Sequence, residues 1–308
     1  MRNWLSFSII ALFIQLTVVS QPNSYPDSIN SLLNVNGAIL PSTDFFNNIP
    51  EMEMTAKSDS TLLQMKVYND EHPFFPPIFL QQGGSCVQSA EIGYCFTYEI
   101  NRARSVSAGD WKQNKNNCYH PLFTYNFLNE GTAYTGTDYT SGFRILKETG
   151  CPSLSDFYDP ILDDTTSLNK FKYWMTGRTK YLNSMPNKIF DYYVIHFNYT
   201  YSSLNPLKHW LSDHGEGDII GGVAIMGVYT SGWNPFGQIP NDSPEEPGLQ
   251  MVSSWGSSTG NGHALTIVGY NDNIWCFDIN NDGLYTIDQD VNGDSIVDLH
   301  DCEKGALR

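Results

Sequence analysis

The pattern of apolar and polar positions changes character several times along the chain. Trp4 to Val19 is an uncharged, mostly apolar run. Residues 21–75 are polar and rich in Asn, Ser and Asp, are broken by Pro22, Pro26, Pro41 and Pro50, and show little periodicity. From Val87 to Arg104 there is no proline and a single glycine, and Val87, Ala90, Gly93-Tyr94 and Thr97-Tyr98 recur at helical spacing. This predicts a helix with Ser85 as its N-cap and Cys86 in its first turn. Two more helices are predicted over 120–129 and 140–149, the second stopped by Gly150 before Cys151-Pro152. Residues 219–229 and 264–270 are β-rich apolar runs, joined by a Pro/Gly/Ser/Asn loop of more than thirty residues. Helices come first and strands afterwards, so the fold class is α+β. No internal repeat runs through the main body.

The apolar start changes the picture of where the chain works. Arg2 precedes it, and Val18-Val19-Ser20 places short residues where a signal peptidase reads. The run is shorter than the ~20 residues that span a bilayer, and no later segment is long and apolar enough to cross one. Residues 1–20 therefore read as a secretory signal cleaved near Ser20-Gln21, leaving an exported chain without stable membrane insertion. The 308 residues (34.7 kDa) can bury one full core or two small ones, and 17 Phe, 18 Tyr and 7 Trp exclude a disordered chain. Acids outnumber bases 33 to 17, a formal charge of −16. That excess excludes nucleic acid as the main partner, because phosphate binding needs clustered Lys and Arg. A monomer is expected. Six cysteines in an exported chain invite pairing: Cys276 with Cys302 would close the acidic segment between them, and Cys118 with Cys151 is a second candidate.

Candidate chemistry centres on Cys86. Two glycines and a serine lead into a cysteine at a helix start, where unpaired N–H groups and the positive dipole end favour thiolate and can hold an oxyanion. Gln82, four residues back, supplies an amide donor. Cys95 lies in the helix interior without such a setting and reads as a small buried apolar residue. The second group is His263, which heads the run His263-Ala264-Leu265-Thr266-Ile267-Val268-Gly269-Tyr270. A histidine at a strand start is rigidly mounted, as a general base must be. The remaining histidines precede a proline (His72 in the sequence His72-Pro73, His120 in His120-Pro121) or lie in apolar-aromatic or polar stretches.

These blocks resemble those of papain-like cysteine peptidases. The matching positions are Gln82, Gly84-Ser85-Cys86, and His263-Ala264 to Val268-Gly269-Tyr270; His120 to Asn126 is similar to that family's second helix and Tyr139 to Gly150 to its third. The resemblance covers 76–270 and implies a two-lobed papain-like fold, with a helical lobe carrying the cysteine and a sheet lobe carrying the histidine. It implies peptide-bond hydrolysis by a Cys86–His263 thiolate–imidazolium pair, with Gln82 at the oxyanion and a polypeptide as substrate. Three departures stand out. The family's Cys-Trp is Cys86-Val87 here. The Gln-to-Cys spacing is short, so Gln81 is an alternative donor. The Asn-Ser-Trp-Gly strand that follows the histidine is missing, since Ser254-Trp255-Gly256 precedes His263. The expectation is a chain truncated at its C-terminus, with 304–308 the start of the absent part.

Residues 271–303 hold nine Asp and Glu and no Lys or Arg. Asp278, Asn280 and Asp282, followed by Gly283, begin a calcium-loop pattern. Twelve residues on, Asp290, Asn292, Asp294, Asp298 and Asp301 occupy positions 1, 3, 5, 9 and 12, with the Ile296 carbonyl at 7 and Ser295 in place of the glycine. Hard oxygen donors suit a structural Ca²⁺. The segment resembles dockerin or thrombospondin type 3 loops, without the helices that separate paired dockerin loops. The domain reading is thus signal 1–20, leader or wrapping segment 21–75, peptidase-like domain 76–270, acidic calcium-loop insertion 271–303, and 304–308. Two further readings remain open at this point: a catalytically inactive papain-like binding or adhesion module with calcium loops, and a Cys-His-Asp peptidase or transglutaminase-like enzyme with Asp272 orienting the histidine.

Overall fold

A computed structural model of the chain describes residues 8–13, 37–39, 43–53, 63–112, 114–164, 166–197, 200–229, 237–252 and 262–308. In chain order its elements are β1 (Ser8–Phe13), β2 (Ala38–Ile39), α1 (Thr43–Phe46), β3 (Lys66–Tyr68), α2 (86–104), α3 (Leu122–Leu128), β4 (Thr137–Asp138), α4 (Ser141–Thr149), α5 (Leu154–Phe157), α6 (Arg178–Ser184), β5 (Asp191–Ile195), α7 (Asn205–Asp213), β6 (Ala224–Tyr229), β7 (Gly237–Gln238), β8 (Gln250–Met251), β9 (Gly262–Ile267), β10 (Gly269–Trp275) and β11 (Lys304–Leu307). The α+β class expected from the sequence is the one observed.

The long uninterrupted run after Cys86 forms one helix, α2, but its middle is wound wide. Residues Cys86–Gln88 are α, Ser89–Phe96 are π, and Thr97–Arg104 return to α. Thr97 Oγ1 donates to the Ile92 carbonyl five residues back (2.9 Å), helping to satisfy an acceptor in the wide turns. The helix closes with Ser105 in the left-handed region (φ 54°) and the Val106 N–H on the Asn101 carbonyl. Ser85 does not cap α2. Its hydroxyl turns back to donate to the Gln82 carbonyl (2.7 Å), a turn contact that competes with capping.

Strands β4-β2-β9-β6-β1-β5 form one sheet, and β11-β10-β3 a second. The predicted strand 264–270 is two strands, because the chain leaves the first sheet at Ile267 and enters the second at Gly269. At the crossing, the Val268 N–H donates to Arg308 O and its carbonyl accepts from the Asn69 N–H. The predicted strand 219–229 starts only at Ala224. Gly221 and Gly222 instead lie against α7, where a Cβ on Gly221 would meet the Leu211 carbonyl at 1.8 Å and one on Gly222 the Trp210 indole. The described parts of the leader contribute a strand to each sheet, β2 to the first and β3 to the second, besides the helix α1. The acidic segment begins inside β10, and its loop proper spans 276–303.

β6 and β9 are covered on both faces. Ile225 and Ala264 belong to a core cluster with Val87, Ala90, Phe96, Tyr98, Tyr125, Tyr139 and Phe143; Ala224 and Ile267 pack in a second one with Leu207, Trp210 and Leu211. The helical and sheet halves are tied by buried polar contacts. Tyr98 donates to the Gly221 carbonyl (2.8 Å), and Glu99 accepts from the Val223 N–H (3.1 Å), Arg102 Nε (3.2 Å) and lies 3.1 Å from His214 Nε2.

The apolar run expected to be an export signal contributes β1, whose backbone pairs in parallel with both β5 and β6. The rest of residues 1–20, including the cleavage position near Ser20-Gln21, lies outside the described residues. Among the described residues no helix is long and apolar enough to cross a membrane.

Candidate active site

The loop 81–85 delivers Cys86 to the start of α2 through backbone constraints that only glycine meets. Gly83 has φ +61°, and a Cβ there would stand 2.3 Å from the Ala133 carbonyl; the next N–H, from Gly84, donates to that same carbonyl (2.8 Å). Tyr125 holds the facing segment by donating to the Thr135 carbonyl (2.8 Å). Cys86 is thereby fixed at 1% exposure against β9.

His263 enters from β9, paired with Val228 of β6, one residue after the Gly262–Ala38 pairing with β2. The structure brings the two residues into one neighbourhood. The Ala264 N–H is directed at the Cys86 sulfur, and Thr266 Oγ1 on the same strand donates to the Ala90 carbonyl of α2 (3.5 Å). Burial pushes the thiol up to about 11, opposed by the backbone N–H groups of Ala264, Val87 and Cys86. Burial also lowers the His263 pKa. Both shifts disfavour the charged forms, so this state favours a neutral Cys86 thiol and a neutral His263 imidazole; the contact that joins the two segments is the Ala264 N–H on the sulfur.

The leader contributes to that burial, alongside the core cluster that Cys86 shares with Ala38, Tyr125, Tyr139 and Ala264. Gly37 lies on the sulfur so closely that a Cβ would stand 2.6 Å from Sγ and 3.2 Å from the Gly84 carbonyl. Its carbonyl accepts from the Thr137 N–H (3.2 Å), and β2 continues from it between β4 and β9. The covering strand was hidden within the polar leader; the short apolar stretch Ala38-Ile39-Leu40 is its one trace in the sequence.

The amides predicted for the oxyanion are engaged elsewhere. Gln82 Nε2 reaches the Leu162 carbonyl (3.4 Å) and its Oε1 is buried without a hydrogen-bond partner, while Gln81 Nε2 donates to the Gly83 carbonyl (2.9 Å). Asp272 is held by Lys208, whose Nζ also donates to the Tyr201 hydroxyl (2.7 Å each). Its carboxylate is committed to that ion pair. Ser254-Trp255-Gly256 lies outside the described residues. All six cysteines are thiols, so neither candidate pairing is formed.

In the acidic segment the predicted ligands fold two loops of the same design. Asp278 accepts from the Asp282 and Gly283 N–H groups, and Asp290 from those of Gly293 and Ser295. Asn280 and Asp282 accept from the N–H groups of Asp282 and Leu284, as Asn292 and Asp294 do from those of Asp294 and Ile296. At the sixth position Gly283 has φ +79° and Ser295 φ +70°, so the serine adopts the glycine's left-handed turn. Asp301, fully buried, accepts from the Val291, Asn292 and Asp298 N–H groups. Glu303, equally buried, does the same for the first loop through the Ile279 and Thr286 N–H groups. Sequence reading missed Glu303 because it stands 25 residues after Asp278, far outside a twelve-residue loop. Among the described residues, no three His, Cys, Asp or Glu side chains are grouped as a metal site; the carboxylates close the loops on their own amides.

The structure therefore places a buried Cys86 at the start of α2 against the β9 backbone at His263-Ala264, under Gly37. No family model matches the chain, and no curated protein matches it. Among solved structures it is similar to the crystal structure of xylellain, a cysteine protease from Xylella fastidiosa, at 18% identity and a TM-score of 0.48 over 77% of this chain and 80% of that one. It is also similar to procathepsin B S9 from Trypanosoma congolense, at 14% identity and a TM-score of 0.43 over 75% and 70% of the two chains.

Proposed function

We propose that the chain is an exported papain-like cysteine peptidase that hydrolyses polypeptides. The observation that carries this reading is the convergence of Cys86, at the start of α2, with the β9 backbone at His263-Ala264. Once charged, a Cys86 thiolate attacks the peptide carbonyl and breaks its π bond. The Cys86 N–H stabilises the oxyanion, and the His263 imidazolium gives its proton to the leaving amine. Water then releases the acyl group and restores the thiol. Gln82 can serve the oxyanion after its amide leaves Leu162, a side-chain rotation within a loop already fixed by Gly83.

The test is covalent labelling of the secreted protein with a peptidyl electrophile directed at thiols. The secreted protein is expected to begin at Gln21 with its thiol still covered, and, once the covering strand has been released, to take a single adduct on Cys86 that appears in step with loss of casein hydrolysis. A folded protein that takes no label and cleaves nothing after the covering strand has been released would overturn the peptidase reading and favour a binding module.

The acidic loops are proposed to take up structural Ca²⁺ through Asp278, Asn280 and Asp282 and through Asp290, Asn292, Asp294, Asp298, Asp301 and the Ile296 carbonyl. The donor set is all oxygen, as Ca²⁺ requires. Adding Ca²⁺ in excess of EDTA is expected to raise the melting temperature by several degrees, the size of a ~1–2 kcal/mol ligand effect. An unchanged melting curve, with no Ca²⁺ retained on gel filtration, would remove the ion from the account.

A further inference from the structure

The peptidase reading gives no task to two buried groups beside the site, the Tyr139 phenol and the Glu91 carboxyl. We infer that they form a positioning chain for His263: Glu91, on the same helix as Cys86, fixes the turn that carries Tyr139, and Tyr139 holds the backbone of His263. The inference rests on the Cys86–His263 reading and adds residues to it.

Tyr139 is fully buried, and its hydroxyl donates to the His263 carbonyl at 2.6 Å. Burial, with Cys86, Glu91 and Tyr229 nearby, raises its pKa well above the ordinary phenol range, so it remains a donor. A phenol is rigid beyond two torsions, so its contact transmits the place of the turn to the strand.

The turn itself is imposed rather than intrinsically favoured. Thr140 is β-branched yet sits at φ 66°, ψ −6°, a conformation that persists only where the surroundings dictate it. Glu91 supplies that constraint. Its Oε1 accepts from the Thr140 N–H, and its Oε2 from the Gly142 N–H (3.0 Å) in the first turn of α4. A Cβ on Gly142 would stand 2.4 Å from Oε2, so glycine is needed for the carboxyl to approach. Glu91 lies in the π-wound stretch directly after the nucleophile's first turn, where the extra residue per turn re-aims side chains relative to a plain α-helix. Cys86 and His263 are thus connected by one short rigid path, from α2 through Glu91, the 139–140 turn and the phenol to β9.

Glu91 also caps α4, and a cap alone would affect stability without touching the reactive pair. The experiment separates the two. It uses the full chain carrying Gly37→Val as parent, after its Cys86 has been found to alkylate faster than that of the unsubstituted chain, with Tyr139→Phe and Glu91→Gln built on it. The pH dependence of Cys86 alkylation by iodoacetamide reads the thiolate–imidazolium pair directly, alongside kcat and KM for a peptide. The parent is expected to show an alkylation limb below the ordinary thiol range. Tyr139→Phe is expected to shift that limb upward by half a unit or more and to lower kcat about tenfold with KM within twofold. Glu91→Gln, which keeps one acceptor and turns an N–H₂ on the other amide, should move the limb in the same direction. Variants that lose melting temperature while their limb and kcat superimpose on the parent's would overturn the inference. If Glu91→Gln does not fold, Tyr139→Phe decides alone. A parent showing a single ionisation in the ordinary thiol range would mean that the Cys–His reading itself has failed, which is a distinct result.

Discussion

Replacing Cys86 with alanine is expected to lower peptide hydrolysis by about 10⁴-fold or more, to the background of the assay, because no other described group can take the nucleophile's place. Cys95 is in the same helix but fully buried in the π-wound stretch against the Val223 carbonyl, and its pKa is raised well above the ordinary range, with burial the main cause. Cys118 and Cys151 are buried in the helical half, and Cys276 and Cys302 belong to the β10–β11 connection. His263→Ala is expected to cost a similar factor, since a lone Cys86 thiol pushed up to about 11 offers little thiolate at neutral pH. The informative measurement is the double variant. Groups that act as one unit are non-additive, so Cys86→Ala/His263→Ala should be no worse than either single change. Losses that multiply would show two independent contributions and would remove the pair as the catalytic unit. Melting curves within a few degrees of the parent are expected for both single variants, because alanine at 86 leaves the packing of Val87 and Ala90 intact.

What was legible in the sequence follows from how local its cause is. The helix from Cys86 to Arg104 announces itself by eighteen residues of unbroken periodicity after Cys86, and the Gly-Gly-Ser approach marks the cysteine at its start. The wide winding of Ser89–Phe96 has no comparable mark, because Glu91 finds its partners in Thr140 and Gly142, some fifty residues away. The same holds for the amide of Gln82. Spacing placed it near the oxyanion, but the Leu162 carbonyl, eighty residues on, draws it aside. The strand carrying His263 was recognisable as one apolar run. Its division at Val268 depends on Asn69 and Arg308, which come from opposite ends of the chain. The two acidic loops were readable position by position, except for Glu303, which reaches back to the first loop from beyond the second. Nothing in the polar leader's composition pointed to Gly37. A glycine's lack of a side chain becomes visible only when its neighbour, here the sulfur of Cys86, is known.

Substituting Gly37 with valine is expected to speed alkylation of Cys86 by iodoacetamide at pH 8 by about 10²-fold or more. In the covered state the thiol is pushed up to about 11, so about one molecule in 10³ is thiolate at that pH, whereas a thiol near its ordinary value of ~8.5 is about one-quarter ionised. Loss of the burial penalty alone supplies the factor, and access for the reagent adds to it. The sign is set by geometry. A Cβ at 37 would stand 2.6 Å from Sγ and 3.2 Å from the Gly84 carbonyl, and the latter is backbone held through the Gly84 N–H on Ala133, so the two-residue strand is expected to give before the loop does. β2 has only two residues with which to resist, Ala38 and Ile39. Slower alkylation would mean that the valine seals the sulfur instead of freeing it, and an unchanged rate that the leader does not govern the thiol. The same geometry separates export from activation. Cleavage near Ser20-Gln21 would remove β1 and leave Gly37 in the chain, whereas a second cut just after Ile39 would part β2 from α1 and β3, which stay held by Val194 and by β10. Alkylation of the secreted protein before and after such a cut, engineered into residues 40–42, should therefore rise by the same factor as the Gly37→Val change, and combining the cut with Gly37→Val should add nothing further.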